Sequence, residues 1–323
     1  FTPRRVVVNS FDAQLGRSDL QATGSIDNIL AYIAPEKTMT GQLTLRSNYF
    51  DANEWYSEEE EEAPALADTT INEEDGVFDR FNFDIDAQAE EIIYEDYRLT
   101  GTYARGQVAP NRMEIREAFT QLGDSDFSGS GLITNVFDYL YEEGILGGQL
   151  QVRSRQIDLN QFMEEEETTA TTAEEDLSAV LVPPNIDMQI DARADRVIYT
   201  NLTLSNVSGT LSIADEAVVL EDVNSQALGG VLGLQGGYDT SDPENPAFNM
   251  KFDISSMNFQ EAFNSFNTFQ TLAPIGKFIQ GVFSSSLIME GTLTESLMPR
   301  LNTLNARGFL ETANAVVNNF KPL

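Results

Sequence analysis

The chain has no cysteine and no histidine. These absences remove the Ser-His-Asp and Cys-His nucleophile arrangements and most of the usual zinc ligand sets. Lysine is scarce as well, supplying four of the 19 cations. Against 52 acidic residues this leaves a net charge of −33 and a pI near 4.1. Nucleic acid is excluded as an expected partner, because phosphate contacts need Lys and Arg. Charge-driven adsorption to an anionic membrane surface is disfavoured for the same reason. A single Trp is meagre for a sugar cleft, and no acid sits in a paired-carboxylate motif. The chain is therefore not expected to be an enzyme, and no cofactor is expected. No apolar run reaches about 18 residues, the length of a membrane-crossing helix. No signal peptide is visible. The sequence opens mid-pattern at Phe1 and stops at Leu323 without a cap or tail, so it reads as a fragment of something longer.

What the chain does have is repetition. Val6 to Trp55, moved by 107 positions, lies on Met113 to Phe162 without a gap, with 17 of the fifty positions identical. Gln14-Leu15-Gly16 with Ser18-Asp19 returns as Gln121-Leu122-Gly123 with Ser125-Asp126. Gly24, Ile26, Asn28 and Tyr32 return as Gly131, Ile133, Asn135 and Tyr139. Gly41-Gln42-Leu43 returns as Gly148-Gln149-Leu150, and Asp51 and Asn53 as Asp158 and Asn160. A fainter third copy starts near Val218, with Leu228-Gly229 and Gly237 aligned on Gly16 and Gly24, and ends in Asn249 to Phe263. A period this long means that each unit holds several strands and packs on its neighbour.

Within the units, apolar and polar residues alternate. Phe81, Phe83 and Ile85 face one way, with Asn82, Asp84 and Asp86 the other. Ile186, Met188 and Ile190 repeat the pattern, as do Phe248, Met250, Phe252 and Ile254. Strands with one apolar and one polar face predict antiparallel sheet covered on one side only. Gly16 and Gly24 are expected to mark turns around a strand. The spacing of Ile26, Ile29, Leu30 and Ile33 predicts a short helix with Ser25 as its N-cap, and Ile133, Val136, Phe137 and Leu140 predict its counterpart. Phe259, Phe263 and Phe266 have helical spacing, and a second short helix is expected from Pro274 to Gly281.

Two acidic stretches interrupt the pattern, Ser57 to Gly76 and Glu164 to Asp176. They fall at the same point of successive units and read as solvated insertions in one equivalent loop. The organisation expected is repeat unit 1 at 1–56, an acidic loop at 57–76, unit 2 at 77–163, an acidic loop at 164–182, unit 3 at 183–258 and a helical and strand block at 259–323. The fold class is mainly β: an elongated, curled antiparallel sheet built from repeated units, open-grooved or taco-like, with short helices and an amphipathic helix near the C-terminus.

The Gln-Leu-Gly-x-Ser-Asp phrase before Gly-x-Ile-x-Asn, and the Gly-x-Leu strand running into Asp-x-Asn, bear on family. So does the closing block: Leu272-Ala273-Pro274-Ile275, Met289-Glu290-Gly291-Thr292-Leu293, Met298-Pro299, Leu304 and Gly308-Phe309-Leu310. Together they resemble the AsmA family, in particular its AsmA-like C-terminal region, which is related to TamB-type bridge-like lipid transport proteins. The likeness covers most of the chain apart from the acidic stretches. It implies a periplasmic envelope protein of double-membraned bacteria, anchored in the inner membrane by a segment outside this chain. It further implies a long apolar-lined groove that carries phospholipid or another acyl lipid between inner and outer membrane during outer-membrane biogenesis. The family has no catalytic motif to carry over.

The groove candidates are Phe81, Phe83, Ile85, Ile186, Met188, Ile190, Phe248, Met250, Phe252 and Ile254. Alternation alone fits an ordinary closed core equally well, which would make the chain a structural or adhesive β-rich envelope module without lipid. One weak metal candidate exists: Asp124-x-Asp126-x-Ser128-Gly129 resembles the start of a calcium loop. Its twelfth position is Asn135 rather than a bidentate Glu, and a turn rich in Asp, Ser and Gly explains it as well.

Overall fold

The computed structural model describes residues 4–29, 38–55, 80–141, 144–162, 181–265, 270, 274–294 and 299–317. Alternation drives almost all of them into strands: β1 Arg5–Leu15, β2 Ser18–Asp27, β3 Met39–Asp51, β4 Phe81–Tyr94, β5 Tyr97–Ala109, β6 Arg112–Leu122, β7 Ser125–Thr134, β8 Leu146–Asp158, β9 Ile186–Tyr199, β10 Leu202–Ala214, β11 Ala217–Ala227, β12 Gly230–Asp239, β13 Ala247–Asn258, β14 Ile279–Thr292 and β15 Asn305–Val317. Two short helices accompany them, α1 Val136–Tyr141 and α2 Phe259–Ser265, with 3-10 turns at Ala52–Trp55, Leu159–Phe162 and Pro274–Phe278. The strands are hydrogen-bonded in chain order in one sheet that does not close. The chain divides into two compact units, Phe1–Gln151 and Val152–Leu323.

The repeat is real at the level of single residues. Strands β1, β2 and β3, with the 3-10 turn that follows, have the same bounds as β6, β7 and β8 with theirs, 107 positions on. Strands β4 to β7 likewise map onto β9 to β12 with a shift of 105. The third copy corrects the alignment read from the sequence. Position 236, not Gly237, is the equivalent of Gly24 and Gly131, since these three share φ values of 149°, 156° and 150°. Leu228, at φ 50°, takes the turn position that Gly16 and Gly123 hold in the earlier copies. Matching glycine to glycine misled because Gly229 is the second residue of that turn.

The sheet is mixed, not antiparallel throughout. β3 and β4 run parallel, with Met39 opposite Phe81 and Asp51 opposite Ile93. A parallel neighbour requires a crossover of a dozen residues or more. The chain between β3 and β4 is therefore a crossover of that kind rather than a tight turn. Ser57 to Gly76 and Glu164 to Asp176 themselves lie outside the described residues.

Other expectations are also revised. Gly24 is inside β2 rather than at a turn, and Ser25 and Ile26 continue that strand instead of capping a helix. Ile26 is held there opposite Gly41 of β3. Ile133 belongs to β7, and the helix begins at Val136. Gly281 sits within β14. Leu30, Ile33, Phe266 and Met298 lie outside the described residues.

Candidate functional site

Residues directly opposite on neighbouring strands point to the same side of a sheet. The register therefore shows what each face carries. In the first unit one row runs Val6, Ile26, Gly41, Phe83, Val108, Met113 and Ile133 across β1 to β7. The row beside it runs Val8, Gly24, Leu43, Ile85, Gly106, Ile115 and Gly131. In the second unit Ile190, Leu211, Leu220, Gly236, Met250 and Met289 line up across β9 to β14. Leu234, Phe252 and Leu287 form another row there. The ten groove candidates fall on these apolar faces, three in the first unit and seven in the second.

Glycine shapes these rows. A Cβ on Gly24, Gly131 or Gly236 would sit 2.0–2.2 Å from a carbonyl oxygen of the next strand. Those strands approach more closely than a side chain allows, which φ near 150° also forbids to other residues. The neighbours facing these glycines are Leu43, Leu150 and Met250.

Burial shows how the faces are covered. Phe81 and Met188 are buried, and the other eight candidates are only half-buried. In the second unit α2 closes one end. Phe259 and Ala262 pack with Met257, Phe283, Leu202 and Ala227, and Ile254 lies against this cluster. The Phe259 and Phe283 rings are 4.5 Å apart. In the first unit the Phe81 ring stacks on Phe83 at 5.6 Å and meets Phe137 of α1 edge-on at 5.7 Å. Among the described elements, the extensive contacts of β4 are with β3, β5 and the 3-10 turn at Ala52–Trp55. Those of β13 are with β12, β14 and α2. Phe83, Ile85, Phe248, Met250 and Phe252 are each half-buried rather than fully enclosed.

The opposite face is polar. Arg105 donates to Asp86 Oδ2 at 2.9 Å and to Glu117 Oε1 at 2.6 Å, while Arg46 donates to Asp86 Oδ1 at 3.0 Å. The Arg105 hydrogen bond, followed by that from Arg46, holds the Asp86 carboxyl below its usual range. A shallow polar cleft on this face has Gln21, Arg46, Gln88 and Tyr103 in its lining.

The most repeated polar residues hold strand ends together. Asp51 is fully buried, accepting from Arg17 Nη2 and, at 3.1 Å, from the Asn53 backbone N–H. The Asp51 N–H donates to Ser18 Oγ at 2.9 Å, and Ser18 Oγ donates to Glu54 at 3.0 Å. Asp19 accepts from the N–H groups of Tyr49 and Asn48 at 2.7 and 2.8 Å. The Tyr49 N–H is the chief reason its carboxyl is depressed. Asn53 clamps the turn after β4, accepting from the Glu95 N–H at 2.7 Å and donating to its carbonyl at 3.0 Å. Asn160 repeats this on Thr200 at 2.7 and 3.4 Å. The motif that carries the AsmA resemblance is thus structural. Its clamp role was missed because the partners lie some forty residues apart, though the repetition of Asp-x-Asn flagged it.

The calcium-loop candidate is not formed as such. Asp124 sits in a two-residue turn, and Asp126 and Ser128 are on β7 opposite Gln121 and Phe119. An extended strand does not coil its side chains around an ion as a 12-residue loop does. No group of three or more acids among the described residues is placed to hold a metal. No protein-family model, curated protein or solved structure matches the chain.

Proposed function

We infer that the apolar face shields lipid acyl chains, and that the chain is a non-enzymatic, periplasmic lipid-handling protein of AsmA type. The observation that carries this is the set of continuous apolar rows, eight of whose ten candidate residues are half-buried rather than fully enclosed, back to back with a charged face. A continuous apolar face left partly open to solvent is a surface that an apolar ligand can complete. An acyl chain of about sixteen carbons laid with half its surface on such rows gains about 6 kcal/mol, at 0.8 kcal/mol per fully buried methylene. Headgroups stay in water. The motif resemblance supports phospholipid as cargo and passage between inner and outer membrane as the task, with anchoring to the inner membrane by a segment outside this chain.

The test is Phe252→Glu, which places a carboxylate mid-row between Leu234 and Leu287. Phe252 is only half-buried, so the new carboxylate reaches water and the fold survives. Lipid recovered by extraction of the purified protein, and binding of a fluorescent phosphatidylethanolamine, should both fall at least tenfold. If the parent chain yields no lipid and binds none, the face is a structural surface, and the module without cargo is the better reading.

A further inference from the structure

The cleft on the polar face of the first unit has a volume of about 420 Å³. Small-molecule sites span about 300–1,000 Å³. It lies across β2 to β5 on a row set by the register: Gln21 is opposite Arg46, Arg46 opposite Gln88, and Gln88 opposite Tyr103. Phe119 continues the row opposite Tyr103, and the two rings stack 5.8 Å apart. Both rings are only half-buried, although the neighbouring row carries Asp86, Arg105 and Glu117. We propose that this cleft binds a neutral saccharide, with the Tyr103 ring as its platform.

The repeat shows that the sheet itself does not need this lining. β4 and β5 recur as β9 and β10, 105 positions on. Asp86, Ala87 and Ala89 return as Asp191, Ala192 and Ala194. The cleft side chains do not return. Arg193, Ser208 and Asn224 stand where Gln88, Tyr103 and Phe119 stand in the first unit, paired in the same register. Asn206 takes the place of Gly101, with nearly the same left-handed backbone, φ 53° against 57°. Asn is among the residues that tolerate this conformation. The backbone therefore admits a side chain at 101, and glycine keeps the space free. A Cβ there would meet nothing within 4 Å, at the lining of the cleft.

The chemistry of the lining selects the ligand. Arg46 is held by Asp86, and the Asn48 amide donates to Asp19 Oδ2 at 2.7 Å. These bonds fix both side chains before a ligand arrives, which lowers the cost of binding. The side-chain amides of Gln21 and Gln88 form no hydrogen bond with a described residue, and each offers donors and an acceptor. Glu90 is the lining charge without an ion-pair partner among the described residues, so an anion is repelled. A neutral sugar meets each of these conditions. Its hydroxyls pair with the amides, and its C–H face lies on the apolar body of the Tyr103 ring. The lone Trp of the chain takes no part. The cleft is on the reverse of the apolar face, so the proposal does not depend on what that face binds.

Saturation-transfer NMR with the full chain tests this, with N,N′-diacetylchitobiose and maltose as probes. The parent chain should transfer saturation to at least one of the two disaccharides. Gly101→Asn places the second unit's residue in the same backbone conformation, so the variant should melt with the parent chain. Its side chain enters the cleft and should weaken binding by roughly tenfold or more. Gln88→Ala, at an exposed position that the fold does not rely on, should weaken binding by about fivefold through a lost hydrogen bond. Asn206→Gly, at the equivalent position of the second unit, should leave binding unchanged. Absence of transfer to both disaccharides in the parent chain would overturn the proposal. So would parent-like binding by either Gly101→Asn or Gln88→Ala, or an equal loss from Asn206→Gly.

Discussion

The crossover after β3 can be tested by length. β3 and β4 pair over twelve residue steps, from Met39 opposite Phe81 to Asp51 opposite Ile93. At about 3.3 Å per step the chain leaving Asp51 must travel back about 40 Å before entering β4. Ala52–Trp55 is a compact turn, so residues 56–80 make the return. An extended chain spans about 3.5 Å per residue at most, so about twelve residues are the minimum. Replacing residues 58–74 by Gly-Ser leaves about ten, or roughly 35 Å, and the strands are pulled out of register. Replacing the same residues by a ten-residue Gly-Ser linker leaves about eighteen, which span the distance with slack. Loop-closure entropy changes by under about 0.5 kcal/mol between these longer forms. Thermal unfolding by far-UV circular dichroism should therefore show the long replacement melting within about 2 °C of the parent chain. The short one should melt at least about 10 °C lower, or without a cooperative transition. If both melt like the parent chain, the parallel pairing is wrong.

Gly131→Ala should cost roughly 2 kcal/mol or more, from backbone strain and contact with the Gln149 carbonyl, while Gly233→Ala, with only ordinary contacts at 3.6 Å, should cost under about 1 kcal/mol in urea titrations. Equal costs would show that the close approach at Gly131 is not a constraint. Asn53→Ala removes both clamp bonds on Glu95 and should lower stability by about 1–2 kcal/mol. Hydrogen exchange should rise at the β4–β5 turn, and an unchanged rate there would contradict the clamp. The Asp19 carboxyl is depressed in the folded chain, so its contribution is present above its unfolded value near 3.9 and fades as pH falls through the lower folded value. The melting difference between parent and Asp19→Asn should be full at pH 7 and shrink toward pH 3. A difference independent of pH would remove the carboxylate from the account.

The strands, their apolar faces and the repeat were legible because alternation and self-similarity are local signals. Met39–Asp51 and Leu146–Asp158 could be set side by side from Gly41-Gln42-Leu43 and Gly148-Gln149-Leu150 alone. Strand direction was not legible, since alternation reads the same forwards and backwards, and the parallel β3–β4 pair stayed hidden. Gly24 was misread because a glycine forced by a neighbouring backbone looks, in sequence, like a glycine forced by a turn. Ile26 and Ile133 gave helical spacing but were claimed by strand pairing, where tertiary hydrogen bonds outweigh a weak local period. The clamp residues showed themselves as repeated polar positions. Their partners Glu95 and Thr200 did not, because it is their backbone that takes part.

A repeat of five strands, such as β4 to β8, contains an odd number. With every neighbour antiparallel, each repeat would start from the edge opposite to its predecessor, and equivalent turns would alternate between the two rims. The single parallel step between β3 and β4 cancels that parity. β6 consequently runs in the same direction as β1, its counterpart 107 positions earlier, and the Gly16 and Gly123 turns share one rim of the first unit. Gene duplication can add or remove such repeats without exchanging the two rims, so each rim is free to acquire its own chemistry.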